Sequence, residues 1–273
     1  MPAKRSSPLL LASVTGPEEA AIALREGADI LDAKDPREGS LGACAPSVLR
    51  AIVALRDRWT SGGLVVPAVS AALGDAPNLP GTFALAAAGA AACGVDYLKI
   101  GLRAPCAEDE ACAFLLSVVR AAREVSPAVR VVVAAYAEAG SIGSVAAARL
   151  PGIAARASAH GCLIDTALKD GRSLFDHLDA GAIARFLSGC RERGLLCGLA
   201  GSLALDHVPR LLELGPDVIG VRGAICAGGR SGRLDPLRIR AWREALQGGA
   251  SEARRRPAAP AGSLPGPPGV RRA

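Results

Sequence analysis

Eight short apolar runs with helical sequence between them restrict this chain's fold more than any other feature. They cover residues 9–14, 30–34, 65–71, 97–102, 130–136, 162–167, 196–201 and 218–223. Runs that are apolar almost throughout, instead of alternating, suit strands covered on both faces, as in a parallel sheet wrapped by helices. The segments 17–25, 46–58, 108–124, 180–193 and 207–214 carry helical periodicity. Eight βα units across residues 9–247 predict an α/β protein built as one closed (βα)8 TIM barrel, not an open doubly wound sheet. A weak internal repeat agrees. Gly27-Ala28-Asp29-Ile30, Gly94-Val95-Asp96-Tyr97 and Gly215-Pro216-Asp217-Val218 each place a helix-ending Gly before an Asp and a strand. Those aspartates lie on the helix-to-strand side of the barrel and read as structural.

Residues 1–8 form an N-terminal extension. From Gly248 the chain is rich in Pro, Gly, Ala and Arg without apolar periodicity, so 248–273 reads as a disordered basic tail. The net charge of +6 resides in these ends, because residues 9–247 hold 25 basic and 25 acidic side chains. A neutral folded part with only 3% aromatic residues offers no footprint for nucleic acid. No apolar stretch is long enough to span a membrane, and the N-terminal apolar run is too short for a secretory signal. Eight cysteines without a CxxC pair read as reduced, mostly buried thiols of a cytoplasmic protein. Three scattered histidines show no metal-ligand spacing, and no metal is expected.

Reactive groups of such barrels stand at the C-terminal strand ends and in the loops that follow. Lysine usage points there. The chain has 28 arginines and four lysines, and outside the N-terminal extension the lysines are Lys34, Lys99 and Lys169, in or just after strands 2, 4 and 6. Inward residues of alternate strands share a layer, so these amines can meet. Lysine, unlike arginine, can lose its proton when desolvated or crowded by cations, and the free amine can attack a carbonyl. One or two of these lysines could hold phosphate, which is compatible with catalysis by the third. Asp32 lies two residues before Lys34, on the same strand face, and Asp165 lies four before Lys169. A carboxylate beside an amine can move protons, or it can be a plain ion-pair partner. Strands 7 and 8 end in Ala200-Gly201-Ser202 and Arg222-Gly223-Ala224, where small residues open backbone N–H groups to a phosphate and Arg222 could add a bidentate contact. Gly228-Gly229-Arg230 could close the pocket. The loops 35–43 and 73–75, the latter leading to 80–82, are long enough to act as lids or to bind substrate.

The run Asp32-Ala33-Lys34-Asp35-Pro36-Arg37-Glu38-Gly39-Ser40-Leu41-Gly42-Ala43 resembles the signature of the (5-formylfuran-3-yl)methyl phosphate synthases. The resemblance continues through 73–75, 80–82, 96–101, 165–171, 200–202 and 220–224, in order, over residues 9 to about 245. It implies a (βα)8 lyase that joins two molecules of glyceraldehyde 3-phosphate, releasing phosphate and two waters, for a methanofuran-type cofactor. By the same resemblance Lys34 is the Schiff-base residue, Asp32, Lys99, Asp165 and Lys169 complete the site, and no cofactor is needed. Two departures stand out: Asp35-Pro36-Arg37 where Asn-Pro-Lys is expected, and Tyr136-Ala137-Glu138 where Tyr-Ala-Asp is expected. The nearest rival is another lysine-dependent barrel, of the deoxyribose-phosphate aldolase or transaldolase type, that stops at the aldol. A non-enzymatic anion-binding protein using the basic tail is a third reading, opposed by the neutral core. The sequence leaves open whether copies form a homo-oligomer.

Overall fold

The computed structural model describes residues 7–60, 66–103 and 107–255. Eight parallel strands close into one barrel in sequence order: β1 (Leu9–Val14), β2 (Ile30–Ala33), β3 (Ala68–Ala76), β4 (Tyr97–Leu102), β5 (Arg130–Tyr136), β6 (Gly161–Asp165), β7 (Leu196–Leu199) and β8 (Val218–Val221), with β8 pairing back onto β1. The helices outside are α1 (Pro17–Arg25), α2 (Pro46–Thr60), α3 (Pro80–Ala91), α4 (Glu108–Val125), α5 (Ala139–Ile142), α6 (Leu150–Arg156), α7 (Leu174–His177), α8 (Ala180–Glu192), α9 (Val208–Leu214) and α10 (Pro236–Arg255). The TIM barrel expected from the sequence is therefore what the chain forms.

Local chemistry explains the elements. Helix α4 opens on Glu108, Asp109 and Glu110 and closes near Arg123, which complements its dipole. It buries Ala111, Cys112, Leu115, Val118, Val119 and Ala122, one stripe at helical spacing, against the sheet. Outward strand residues such as Leu31, Ala33, Val69, Leu98, Ile100, Val131 and Val133 join that helix-covered core. Inward residues form two smaller clusters within the barrel: Leu11, Ile30 and Val218 below, and Leu41, Ala72, Val132, Ala134, Leu163 and Ala200 above.

The repeated aspartates are structural, as read. Asp29, Asp96 and Asp217 each accept a backbone N–H from the neighbouring strand, from Leu10, Val69 and Cys197 at 2.8, 2.7 and 2.8 Å. The glycines two residues before them stand at φ +83, +83 and +64, where a side chain would be strained.

Two boundaries differ from expectation. Strand β3 begins at Ala68 and continues through Leu73-Gly74-Asp75, which read as a loop. Gly74 at φ +123 and a bulge between Ala72 and Asp75 let the strand bend and resume pairing, Asp75 beside Gly101 and Ala76 beside Leu102. Helix α10 runs to Arg255, seven residues past Gly248, where the tail was expected to begin. Gly249 lies so close to Leu212 of α9 that a Cβ there would overlap it, so the glycine serves packing, and Ala-rich sequence after it favours helix. The rest of the expected disordered tail, 256–273, lies outside the described residues, as do residues 1–6 of the N-terminal extension.

Candidate active site

The strand period aims the site residues inward. Asp32 and Lys34 share a face at the end of β2, with the Lys34 N–H still bonded to the Val14 carbonyl of β1 at 2.9 Å. Lys99 projects from β4 and Asp165 ends β6. All four are buried: Asp32 0%, Lys34 6%, Lys99 4% and Asp165 3% exposed. The three lysines and both carboxylates expected from the sequence thus converge at the C-terminal mouth of the barrel.

Their pairing is specific. Lys99 Nζ lies 2.6 Å from Asp32 Oδ2, which also accepts from Ser13 Oγ at 3.0 Å. Asp32 Oδ1 is buried without a hydrogen-bond partner. Lys169 Nζ lies 3.0 Å from Asp165 Oδ1 and 2.8 Å from Thr166 Oγ1. Lys34 forms no ion pair among the described residues. Burial pushes its amine pKa down to about 8. Asp165 and Asp32 oppose this, and the charges of Lys99 and Lys169 add to it. Burial would raise the Asp165 carboxyl, but Lys169, Lys34 and Lys99 outweigh it and hold the group at about 2. Two lysines are therefore paired with carboxylates, and the third is an unpaired amine within reach of its neutral form.

A cavity of about 340 Å³ opens over this cluster, lined by Lys34, Lys99, Asp165, Lys169 and the ends of β7 and β8. The N–H groups of Ser202, Leu203, Gly223 and Ala224 have no protein acceptor among the described residues, and all four residues face the cavity. Gly201 at φ +102 and Ser202 at φ +47 shape this turn. A Cβ on Gly201 would meet the Thr166 backbone at 2.9 Å. Free N–H groups in such a concave turn suit an anion.

Arg222 departs from its expected role as a bidentate phosphate ligand. All five of its N–H donors are already taken: Nε by Arg230 O, Nη1 by Ser13 O and Glu19 Oε2, Nη2 by Glu19 Oε1 and Gly232 O, at 2.5–3.2 Å. It clamps the end of β8 to α1 and β1. Arg222→Met should therefore lower stability by about 2 kcal/mol while leaving phosphate affinity nearly unchanged. Chemical denaturation and substrate titration of the same variant check this. Arg230, half-buried, is the arginine that faces the cavity instead. It lines the cavity, and its one protein acceptor among the described residues is the Gly39 carbonyl.

Sequence reasoning left Ser13, Asp75 and Tyr136 without roles. Asp75 accepts from Ser40 N at 2.7 Å, from Leu41 N at 3.1 Å and from the Tyr136 hydroxyl. Gly101 makes room for that hydroxyl, which a Cβ would overlap. Loop 35–43 is thereby a fixed plug, with Leu41 fully buried inside the barrel. Among the described residues no group of three or more His, Cys, Asp or Glu is placed to hold a metal, and no helix is long and apolar enough to cross a membrane.

Residues 10–243 match the family model described as 4-HFC-P synthase. The chain belongs to the 4-HFC-P synthase family. It is 44% identical over 240 residues to (5-formylfuran-3-yl)methyl phosphate synthase of Methanothermobacter thermautotrophicus, covering 87% of this chain and 98% of that one. The protein of the same name from Archaeoglobus fulgidus is 41% identical over 239 residues, covering 88% and 99%. Among solved structures, 3-hexulose-6-phosphate synthase from Salmonella typhimurium superposes with a TM-score of 0.59 at 19% identity, covering 88% and 99%. Phosphoribosyl anthranilate isomerase from Thermus thermophilus gives 0.56 at 17%, covering 88% and 98%. These two likenesses show that the 4-HFC-P synthase family member shares their barrel fold.

Proposed function

We propose that this chain condenses two molecules of glyceraldehyde 3-phosphate into (5-formylfuran-3-yl)methyl phosphate through a Schiff base on Lys34. The observation that carries the reading is Lys34 itself: a buried, unpaired amine held near its neutral form between two carboxylates that other lysines neutralise. The names of the relatives support the product, and the free backbone N–H groups lining the cavity support a phosphate seat there.

The chemistry balances as two trioses giving the furan aldehyde phosphate, one phosphate and two waters. The Lys34 amine adds to the aldehyde of the first triose, and loss of water leaves an iminium. Removal of the proton on the adjacent carbon gives an enamine, so that central carbon becomes the nucleophile. The second triose loses its own phosphate by β-elimination, leaving a hydroxy-enal whose terminal carbon accepts the enamine. The bond joins the central carbon of the first triose to the former phosphate-bearing carbon of the second. This places the phosphomethyl branch on ring carbon 3. Attack by the enol oxygen on the iminium carbon closes the ring and expels Lys34, and loss of the second water makes the furan. Asp32 and Asp165 serve as proton carriers, with Lys99 and Lys169 as their cationic partners. The retained phosphate sits on the N–H groups of Ser202, Leu203, Gly223 and Ala224, with Arg230 beside it. The lysine is the electron sink, so this route calls for neither metal nor organic cofactor. The seven cysteines among the described residues are free, which suits a reducing cytoplasm.

Borohydride added during turnover of glyceraldehyde 3-phosphate should fix a triose on the Lys34 peptide, read by mass spectrometry. In the same mixture without borohydride, a furan chromophore and free phosphate should form in equal amounts. An active protein with no adduct on any lysine would sink the amine mechanism. An adduct with an aldol product and no phosphate release would point to the aldolase-type rival.

A further inference from the structure

Glu138, two residues after β5, is a buried carboxylate that does not line the cavity and has no part in the chemistry above. Its two oxygens take two consecutive backbone N–H groups, Ala167 to Oε2 at 3.0 Å and Leu168 to Oε1 at 2.9 Å. Lys169 is the next residue. From the other side Ser40 Oγ donates to the Thr166 carbonyl at 2.7 Å, so the turn 166–168 is clamped between loops that follow β2 and β5. His177 of α7 stands 3.9 Å from Glu138 Oε1, beyond hydrogen-bond distance, and its buried Nε2 has no hydrogen-bond partner, so the two backbone N–H groups are the donors the carboxylate has. A buried carboxylate is costly unless donors satisfy it, and here the donors are the turn that carries Lys169.

We infer that Glu138 is a positioning residue, whose carboxylate fixes the turn 166–168 so that the Lys169 ammonium stays on Asp165 and Thr166. The inference rests on Lys169 belonging to the site and goes beyond it by naming what sets its place. A glutamine at this position would turn an N–H₂ group toward one of the two backbone N–H donors, and the turn would shift to relieve that clash. A shorter carboxylate would keep both acceptors.

The test reads Lys34, which never touches Glu138. The charge of Lys169 helps hold the Lys34 amine down, together with Lys99 and against Asp165 and Asp32. Moving Lys169 away therefore raises the pH at which Lys34 becomes reactive. Acetylation of the Lys34 peptide by acetic anhydride, followed against pH by mass spectrometry, gives that midpoint without any turnover. E138Q should raise the midpoint by about half a pH unit or more, K169M should raise it in the same direction, and E138D should return toward the wild type. The kcat of E138Q should fall about tenfold with a smaller change in KM. An E138Q midpoint equal to that of the wild type, beside a shifted K169M, would overturn the inference. So would a drop in Tm with the midpoint unmoved, which marks a purely structural role. If the wild type makes no furan from glyceraldehyde 3-phosphate, the proposed function fails, while the midpoints still decide Glu138.

Discussion

Lys34→Arg should lose at least about 10³-fold in kcat/KM for furan formation, with the fold intact, because the other two amines of the cavity, Lys99 and Lys169, are held on carboxylates and do not replace the nucleophile that forms the covalent intermediate. Arginine keeps the positive charge and reaches at least as far, so binding of the substrate phosphate should survive. What it cannot supply is a neutral nitrogen, since its guanidinium stays protonated at any working pH. Bringing the amine from the ordinary lysine value of 10.5 to about 8 multiplies its neutral fraction at pH 7 by roughly 300. The sign follows from the cause. Burial and the cations Lys99 and Lys169 disfavour the protonated form, so the free amine is populated above about pH 8 and lost as the pH falls below it. The wild-type kcat/KM should therefore decline by about one decade per pH unit on the acid side of pH 8. Steady-state kinetics of both proteins between about pH 6 and 9 check this. A Lys34→Arg variant within tenfold of the wild type, or a flat acid side, would remove Lys34 from the chemistry.

The part of this site legible in the sequence is the part carried by strand period and residue choice. Asp32 and Lys34 lie two apart on an apolar strand, so their sharing a face required no structure. Lys99 and Lys169 stood out because the chain otherwise uses arginine for its cations. The barrel was legible for a similar reason: buried strands and helix-ending glycines recur with one spacing. Asp75 was hidden by a bulge. The stretch Leu73-Gly74-Asp75 reads as a turn, and only the pairing of Asp75 beside Gly101 shows that the strand continues past it. Nothing in the sequence near Asp75 names Ser40, Leu41 or Tyr136 as its partners, which lie 34 to 61 residues away.

Arg222 illustrates a different limit. Its position after β8 was read correctly, and its role was not, because a sequence shows a donor without showing whether the donor is already used. Five acceptors from four residues converge on it, among them Glu19 of α1, 203 residues away. Arg230 sits in a glycine-rich turn with little local signal, yet its half-buried guanidinium is the one that faces the cavity. The loop 35–43 was long enough to be a lid or to bind substrate, and Leu41 makes it a plug, because an apolar side chain that fits the barrel top is held there by the same burial that holds the core.

Lys99→Met should destabilise the protein by about 3–5 kcal/mol, because it leaves the Asp32 carboxylate fully buried with Ser13 as its one remaining donor. Asp32→Asn/Lys99→Met removes both charges together and should recover most of that loss, the coupling expected of a buried pair. Activity should not recover with it. Lys99 lowers the Lys34 amine and Asp32 raises it, so the double variant removes two opposing influences and should keep its acid limb near pH 8. The single variant removes only the lowering influence, so its acid limb should move upward. A loss of kcat on the order of 10²-fold in the double variant, at a pH where Lys34 is neutral, would then measure proton transfer through Asp32 and Lys99 and not the state of the nucleophile. If the double variant instead turned over like the wild type, Asp32 and Lys99 would be a structural ion pair, and Asp165 would be left as the proton carrier of the site.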